Sequence, residues 1–170
     1  IEAVGQGGMG QVFRAEDLST GRPVALKTLS AIDRAMLERF VLEAKTLASL
    51  DHPSIVGYVA RGTTEQGAPF LAMRWLDGED LSRVLRRGPL SIADTLAVMR
   101  RVCEGLAVAH QRGIVHRDLK PANIVLVGGA ASAATIVDFG IARQDVLTRG
   151  LTRTGAIIGT VGYMSPEQLQ

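Results

Sequence analysis

The chain has 170 residues, 46% hydrophobic and 21% charged, which is enough apolar material to bury a core and too much for a disordered chain. Nineteen basic residues against seventeen acidic leave a net charge of +2, too small and dispersed to argue for nucleic acid, and only seven aromatics are present to stack on bases. The longest uncharged stretch, which includes residues 122–137, is interrupted by Asn, Ser, Thr and glycines and falls short of the ~20 apolar residues of a membrane span.

The start lacks a basic region and an apolar signal core, and the lone Cys103 allows no internal disulfide, so the expected location is cytoplasmic. Arg86-Arg87 and Arg100-Arg101 read as solvated helix faces. Lysine occurs only at 27, 45 and 120, and asparagine only at 123. A chain that avoids both types draws attention to the places where it keeps them.

In chain order, glycines at 5, 7, 8 and 10 lead into a strand at 11–15. Gly21-Arg22-Pro23 marks a turn before a second strand at 24–29, whose period of two puts Ala25, Lys27 and Leu29 on one face. Met36, Phe40, Glu43 and Leu47 then recur at helical spacing, with Leu37, Val41, Ala44 and Ala48 beside them. Glu43 therefore stands on an apolar stripe, where it needs a cation or must reach water from the stripe's edge. A strand at 69–73 and a bend at Asp77-Gly78 follow.

Ser91-Ile92-Ala93-Asp94 reads as a capping box that opens a second helix. Its expected stripe is Ile92, Leu96, Met99, Cys103, Leu106 and His110, with Gly113 as the stop. On that stripe Cys103 is a small core residue and His110 a core or helix-end histidine. Two short strands at 124–127 and 135–137 flank a glycine-rich loop at 128–134.

Three clusters carry chemistry. Gly5-Gln6-Gly7-Gly8-Met9-Gly10-Gln11-Val12 fits G-x-G-x-x-G-x-V, in which glycines let backbone N–H groups approach phosphate oxygens. Alone it also fits an ordinary hairpin, and because it leads into a strand it does not fit a dinucleotide-binding turn. His116-Arg117-Asp118-Leu119-Lys120-Pro121-Ala122-Asn123 and Asp138-Phe139-Gly140 complete the set. Asp118, Asn123 and Asp138 are oxygen donors of the kind that hard cations take, although each cluster alone is also ordinary turn composition.

In this order and spacing the clusters resemble the catalytic core of eukaryotic-type (Hanks-type) serine/threonine protein kinases. Gly7-Gly8-Met9-Gly10 and Ser165-Pro166-Glu167-Gln168 are similar to the bacterial branch. The resemblance covers essentially the whole chain and implies an α+β, two-lobed fold. A small β-rich lobe with one main helix would span 1–73, a hinge 74–79, and a mainly helical large lobe 80–170, cut short after the activation segment.

The implied activity is transfer of the γ-phosphate of Mg-ATP to Ser or Thr hydroxyls of proteins, with Mn2+ as an alternative metal. Val4, Gly5, Gln6, Gly7, Gly8, Met9, Gly10 and Val12 would cover the nucleotide. Lys27 would hold its phosphates and pair with Glu43. Asp118 would accept the substrate proton, beside Lys120, which resembles the lysine of serine/threonine kinases. Asn123 and Asp138 would hold magnesium. Ala25, Met73, Leu76 and Val125 would surround adenine, and Asp80 would meet the ribose. Leu47, Tyr58, His116 and Phe139 would stack across the lobes. Arg74 departs from the family, which usually has an acidic residue there, and is expected to face away from the base.

The resemblance also implies autophosphorylation at Thr152 and Thr154, for which a homodimer is one route, with Arg117 able to pair the phosphate. Thr160 is similar to the threonine that contacts Asp118 and Lys120, whereas Thr148 reads as a solvated hydroxyl. The family continues past Glu167 with helices that cover the helix starting at Ser91. The chain is therefore read as an excerpt, whose parent could carry a membrane anchor and whose isolated form would bind nucleotide poorly and aggregate. A nucleotide-binding regulatory module without transfer is the alternative, and a nucleic-acid binder a distant third. Asp118→Asn would separate the first two.

Overall fold

The computed structural model describes residues 1–7, 10–29, 34–116, 118–139 and 161–163. A five-stranded antiparallel sheet has the order β1-β2-β3-β5-β4, built from β1 (Glu2–Gly7), β2 (Gly10–Asp17), β3 (Arg22–Leu29), β4 (Tyr58–Thr63) and β5 (Pro69–Arg74). The β2–β3 turn closes on Asp17, whose carboxylate accepts from the Ser19 and Thr20 hydroxyls at 2.7 and 2.8 Å. Gly21 then takes φ 66°, a left-handed conformation that suits glycine. This fixes the register that sets Val12 opposite Lys27 and Ala25 opposite Arg14.

Helix α1 (Arg34–Ser49) links β3 to the loop before β4. Its buried residues Phe40, Glu43, Ala44 and Leu47 follow the i, i+3, i+4, i+7 pattern of a single stripe. Glu43 is thus buried, not at the stripe's water-facing edge.

Beyond residue 77 a second sheet, β6-β7-β8, is formed by Gly78–Asp80, Ile124–Val127 and Ala134–Ile136. Helix α2 (Leu81–Arg87) follows β6, and α3 (Ile92–Gln111) precedes a 3-10 turn at Pro121–Asn123. Ser91 caps α3 as the sequence predicts, accepting from the Asp94 N–H at 3.0 Å, and Gly113 at φ 70° ends the turn after it. One core joins the two sheets through Leu47, Leu71 and Met73 on one side and Val102, Ile124, Ile136 and Phe139 on the other.

The face of α3 that enters this core differs from the expected stripe. Val98, Val102, Gly105 and Ala109 are buried, whereas Ile92, Leu96 and Met99 are 83%, 65% and 53% exposed. Cys103 is exposed, not a core residue, and His110 is exposed in the last turn. The reason is close approach. A Cβ on Gly105 would meet the Ile136 Cδ1 at 3.1 Å and the Ser54 Cβ at 3.2 Å, so the face that carries Gly105 is the one that can come this close to β8.

The expected bend at Asp77-Gly78 continues into β6, where a Cβ on Gly78 would run into the Leu126 carbonyl. The paired arginines also divide. Arg86, Arg87 and Arg100 are exposed, but Arg101 is half-buried.

Candidate active site

Lys27 stands in β3, flanked by β2 and β5. Its Nζ lies 2.8 Å from Glu43 Oε1 and 3.0 Å from Asp138 Oδ1, so it joins β3, α1 and the residue two beyond β8. Burial opposes the Lys27 charge, but Asp138 and Glu43 outweigh it and hold its pKa above the usual lysine value. Burial pushes the Glu43 carboxyl up, and Lys27 pulls it partly back.

Asp138 is the one non-glycine residue with positive φ among the described residues, at 53°. Aspartate tolerates that conformation better than most side chains. Its side chain is 47% exposed, while the next residue, Phe139, is buried and packs on the His116 ring with centroids 4.8 Å apart.

The loop before β7 is built around His116 and Asn123. His116 Nε2 lies 3.3 Å from the Val137 carbonyl, which can only accept, so Nε2 carries the proton; the Asp118 N–H donates to the His116 carbonyl at 2.9 Å and to Nδ1 at 3.4 Å. Burial lowers the His116 pKa against the opposing Val137 bond and the Asp118 and Asp138 charges, which keeps this tautomer neutral. Asn123 is buried, and its amide nitrogen donates to the Asp118 carbonyl at 2.8 Å and to Asp118 Oδ2 at 3.3 Å. Its backbone carbonyl accepts from the Val137 N–H at 2.9 Å. Lys120 Nζ reaches Asp118 Oδ2 at 2.9 Å. The 116–123 loop is thereby bonded to the segment that carries Asp138.

Asp138 and Asn123 together offer one carboxylate and one amide oxygen. No cluster of three or more His, Cys, Asp or Glu occurs among the described residues. That donor set fits magnesium, which takes one or two protein oxygens and completes its shell with water and phosphate.

The expected adenine walls fall along the sheet and the linker. Val12 opposes Lys27, Ala25 opposes Met73, and Val125 opposes Asp80. Met73 is buried, Leu76 half-buried and Val4 exposed. Gly5 and Gln6 pair with Val12 and Gln11, and Gly7 with Gly10, where a Cβ would collide with the Thr28 carbonyl. Asp80 caps α2, accepting from the Arg83 N–H at 3.0 Å and from the Ser82 hydroxyl and pairing with the Arg83 guanidinium at 3.2 Å. Arg74 is exposed, with its guanidinium beside Gly57. Leu47 and Phe139 are buried and Tyr58 packs half-buried against the same core.

Gly8, Met9, Arg117, Gly140, Thr148, Thr152, Thr154, Thr160 and Ser165-Pro166-Glu167-Gln168 lie outside the described residues. One contact escaped sequence reading, the Arg14 guanidinium 5.2 Å above the Trp75 ring. Its only signal is that the chain's single tryptophan falls in the linker.

Among known families, the protein kinase domain matches this chain over residues 1–170. A probable serine/threonine-protein kinase of Corynebacterium efficiens is 41% identical over 98% of the chain and 26% of its own length. The serine/threonine-protein kinase PknB of Mycobacterium leprae is 39% identical over 98% of the chain and 28% of its own length. The chain thus spans little more than a quarter of these relatives. Among solved structures, Rad53 1–466 in complex with AMP-PNP aligns with a TM-score of 0.78 at 27% identity, covering 99% of this chain and 41% of that one.

Proposed function

The chain belongs to the protein kinase domain family, and from that premise we propose that it transfers the γ-phosphoryl group of ATP to Ser or Thr hydroxyls of proteins. The observation that carries this reading is Lys27, which touches Glu43 at 2.8 Å and Asp138 at 3.0 Å across 111 residues of sequence. A fixed ammonium beside a half-exposed carboxylate is what a polyphosphate with its cation needs, and Asp138, 47% exposed, keeps oxygen surface free for that cation.

In this mechanism Glu43 holds Lys27 in place, and Lys27 binds phosphate oxygens as a compact point charge. Asp118 orients the substrate hydroxyl and takes its proton as the new P–O bond forms. The bond from the γ-phosphorus to the bridging oxygen breaks, and ADP departs with the electron pair. Lys120, bonded to the same Asp118 carboxylate, offsets charge beside the transferred group. Asn123 and Asp138 would hold magnesium, or manganese, which when bound neutralises the phosphates. Residues 1–73 form the small lobe, 74–79 the hinge and 80–170 the large-lobe portion, with adenine between Val12, Ala25, Met73, Leu76 and Val125. Thr152 and Thr154 are the acceptors of autophosphorylation between two copies, and the setting is cytoplasmic.

The test is intact mass before and after Mg-ATP, with Asp118→Asn as control. Phosphate-sized increments are expected in the wild type. In the variant the rate should fall by about 10²-fold or more, as when an acid–base group is removed. Nucleotide binding without increments would instead support a regulatory module.

A further inference from the structure

Trp75 lies in the linker just after β5, half-buried, with its backbone N–H donating to the Pro23 carbonyl at 3.4 Å. Above its ring, 5.2 Å from the centroid, is the Arg14 guanidinium. That distance falls within the ~6 Å over which a cation is attracted by an aromatic face.

The sheet register gives this contact a location. Arg14 opposes Ala25 across β2–β3, and Ala25 opposes Met73 across β3–β5. Residues directly opposed share a face, so the three form one row. The parallel row on that face is Val12, Lys27 and Leu71. Arg14 therefore stands on the face that carries Lys27, two residues or about 7 Å along the strand from Val12. Trp75 lies two residues past Met73, just beyond the end of β5 and level with Pro23, on the linker side of that row. Glu2 opposes Arg14 across β1–β2, yet among the described residues Arg14 joins no carboxylate and stacks on Trp75 instead.

We propose that Arg14 and Trp75 form a latch at the linker end of the nucleotide cleft. The cation on the indole holds the linker against the sheet, so that the Leu76 backbone and the Ala25–Met73 row are set at a fixed spacing for a purine base. Both act as positioning residues. The chemistry asks for a cation and a ring, and arginine suits best because its planar guanidinium stacks flat on the indole. The latch should govern how tightly the nucleotide is held, and it should leave the phosphoryl-transfer step alone, since that step occurs at Lys27, Asp118 and Asp138. The inference rests on the nucleotide reading given above.

As the chain's only tryptophan, Trp75 reports on itself. Its emission is followed while the chain is titrated with Mg-ADP, in the wild type, Arg14→Met and Arg14→Lys. In Arg14→Met the emission should shift to the red as water reaches the ring. Mg-ADP should bind about fivefold more weakly, the scale of one cation–aromatic contact. In turnover KM for ATP should rise with kcat unchanged, and Arg14→Lys should stay within about twofold of the wild type. Equal Mg-ADP affinity in Arg14→Met and the wild type overturns the latch, as does an equal loss in the Met and Lys variants. If Arg14→Met does not fold, Trp75→Phe measured by calorimetry decides, with weakened binding expected and unchanged binding contrary. A wild type that gives no response to Mg-ADP by emission or calorimetry overturns the nucleotide reading itself.

Discussion

Lys27 is half-buried and His116 buried, and desolvation drives both toward neutrality. They differ in their partners. Lys27 meets two carboxylates and stays charged. His116 meets a backbone carbonyl, a backbone N–H and the Phe139 ring, with Asp118 and Asp138 acting from further off, and stays neutral. Because the folded His116 pKa lies below the ordinary value near 6.5, the unfolded chain binds more protons between those two values. Stability from this group is therefore lost as pH falls below about 6.5 and is complete above it. Denaturant melts between pH 7.5 and 5.5 should show the wild type weakening. His116→Phe, which keeps a ring against Phe139, should lose that slope while costing about 1 kcal/mol at pH 7.5 for the missing Val137 bond. Identical slopes in the two proteins would assign the pH dependence elsewhere.

At the scale of elements, the loop between α1 and β4 is bonded to β8. The Val56 N–H donates to the Ile136 carbonyl at 2.9 Å, and the Ile136 N–H donates to the Ser54 carbonyl at 2.8 Å. Helix α3 closes on this bridge through Gly105. Asp138 follows Ile136 by two residues, and α1, which carries Glu43, leads into the same loop, so the bridge helps set both carboxylates around Lys27. Gly105→Ala should push α3 away from Ser54 and Ile136. Overpacking usually costs about 1–3 kcal/mol and alanine returns about 1 kcal/mol of helix propensity, so the expected net loss in a urea melt is about 0–2 kcal/mol, together with lower phosphotransfer. An unchanged midpoint would mean that α3 has room to spare there.

What the sequence reveals at this scale is what is encoded locally. Ser91 and Gly113 bound α3 because caps and stops act over a few residues, and β3 and α1 show their periods plainly. Strand β4 carries Arg61-Gly62-Thr63 at the sheet's edge, β6 has three residues and α2 seven, too short for a period to emerge. The bulky stripe of α3 conceals the face of Val98, Val102, Gly105 and Ala109 that packs. The meeting of Lys27 with Asp138 has no local signal, and only the order of the motifs suggests it.

At the scale of the molecule, Ile92, Leu96, Met99 and Cys103 remain as an exposed row on α3, beside the face that enters the core. A row of this kind is larger than scattered surface hydrophobics and favours contact with another apolar surface. In the chain as it stands, the available surface is the same row on a second copy. The 170-residue chain should therefore self-associate with rising concentration in sedimentation experiments. Leu96→Glu combined with Met99→Lys should reduce that association, with little effect on the thermal midpoint because neither side chain belongs to the core. Mg-ADP binding should also survive, since α3 meets the rest of the molecule through Val98, Val102, Gly105 and Ala109 on a different face. If the wild type stays monomeric at high concentration, the row is tolerated in water and plays no part in association. If the double variant loses nucleotide binding as well, the two sides of α3 are coupled, and the helix cannot be treated as a passive support for the site.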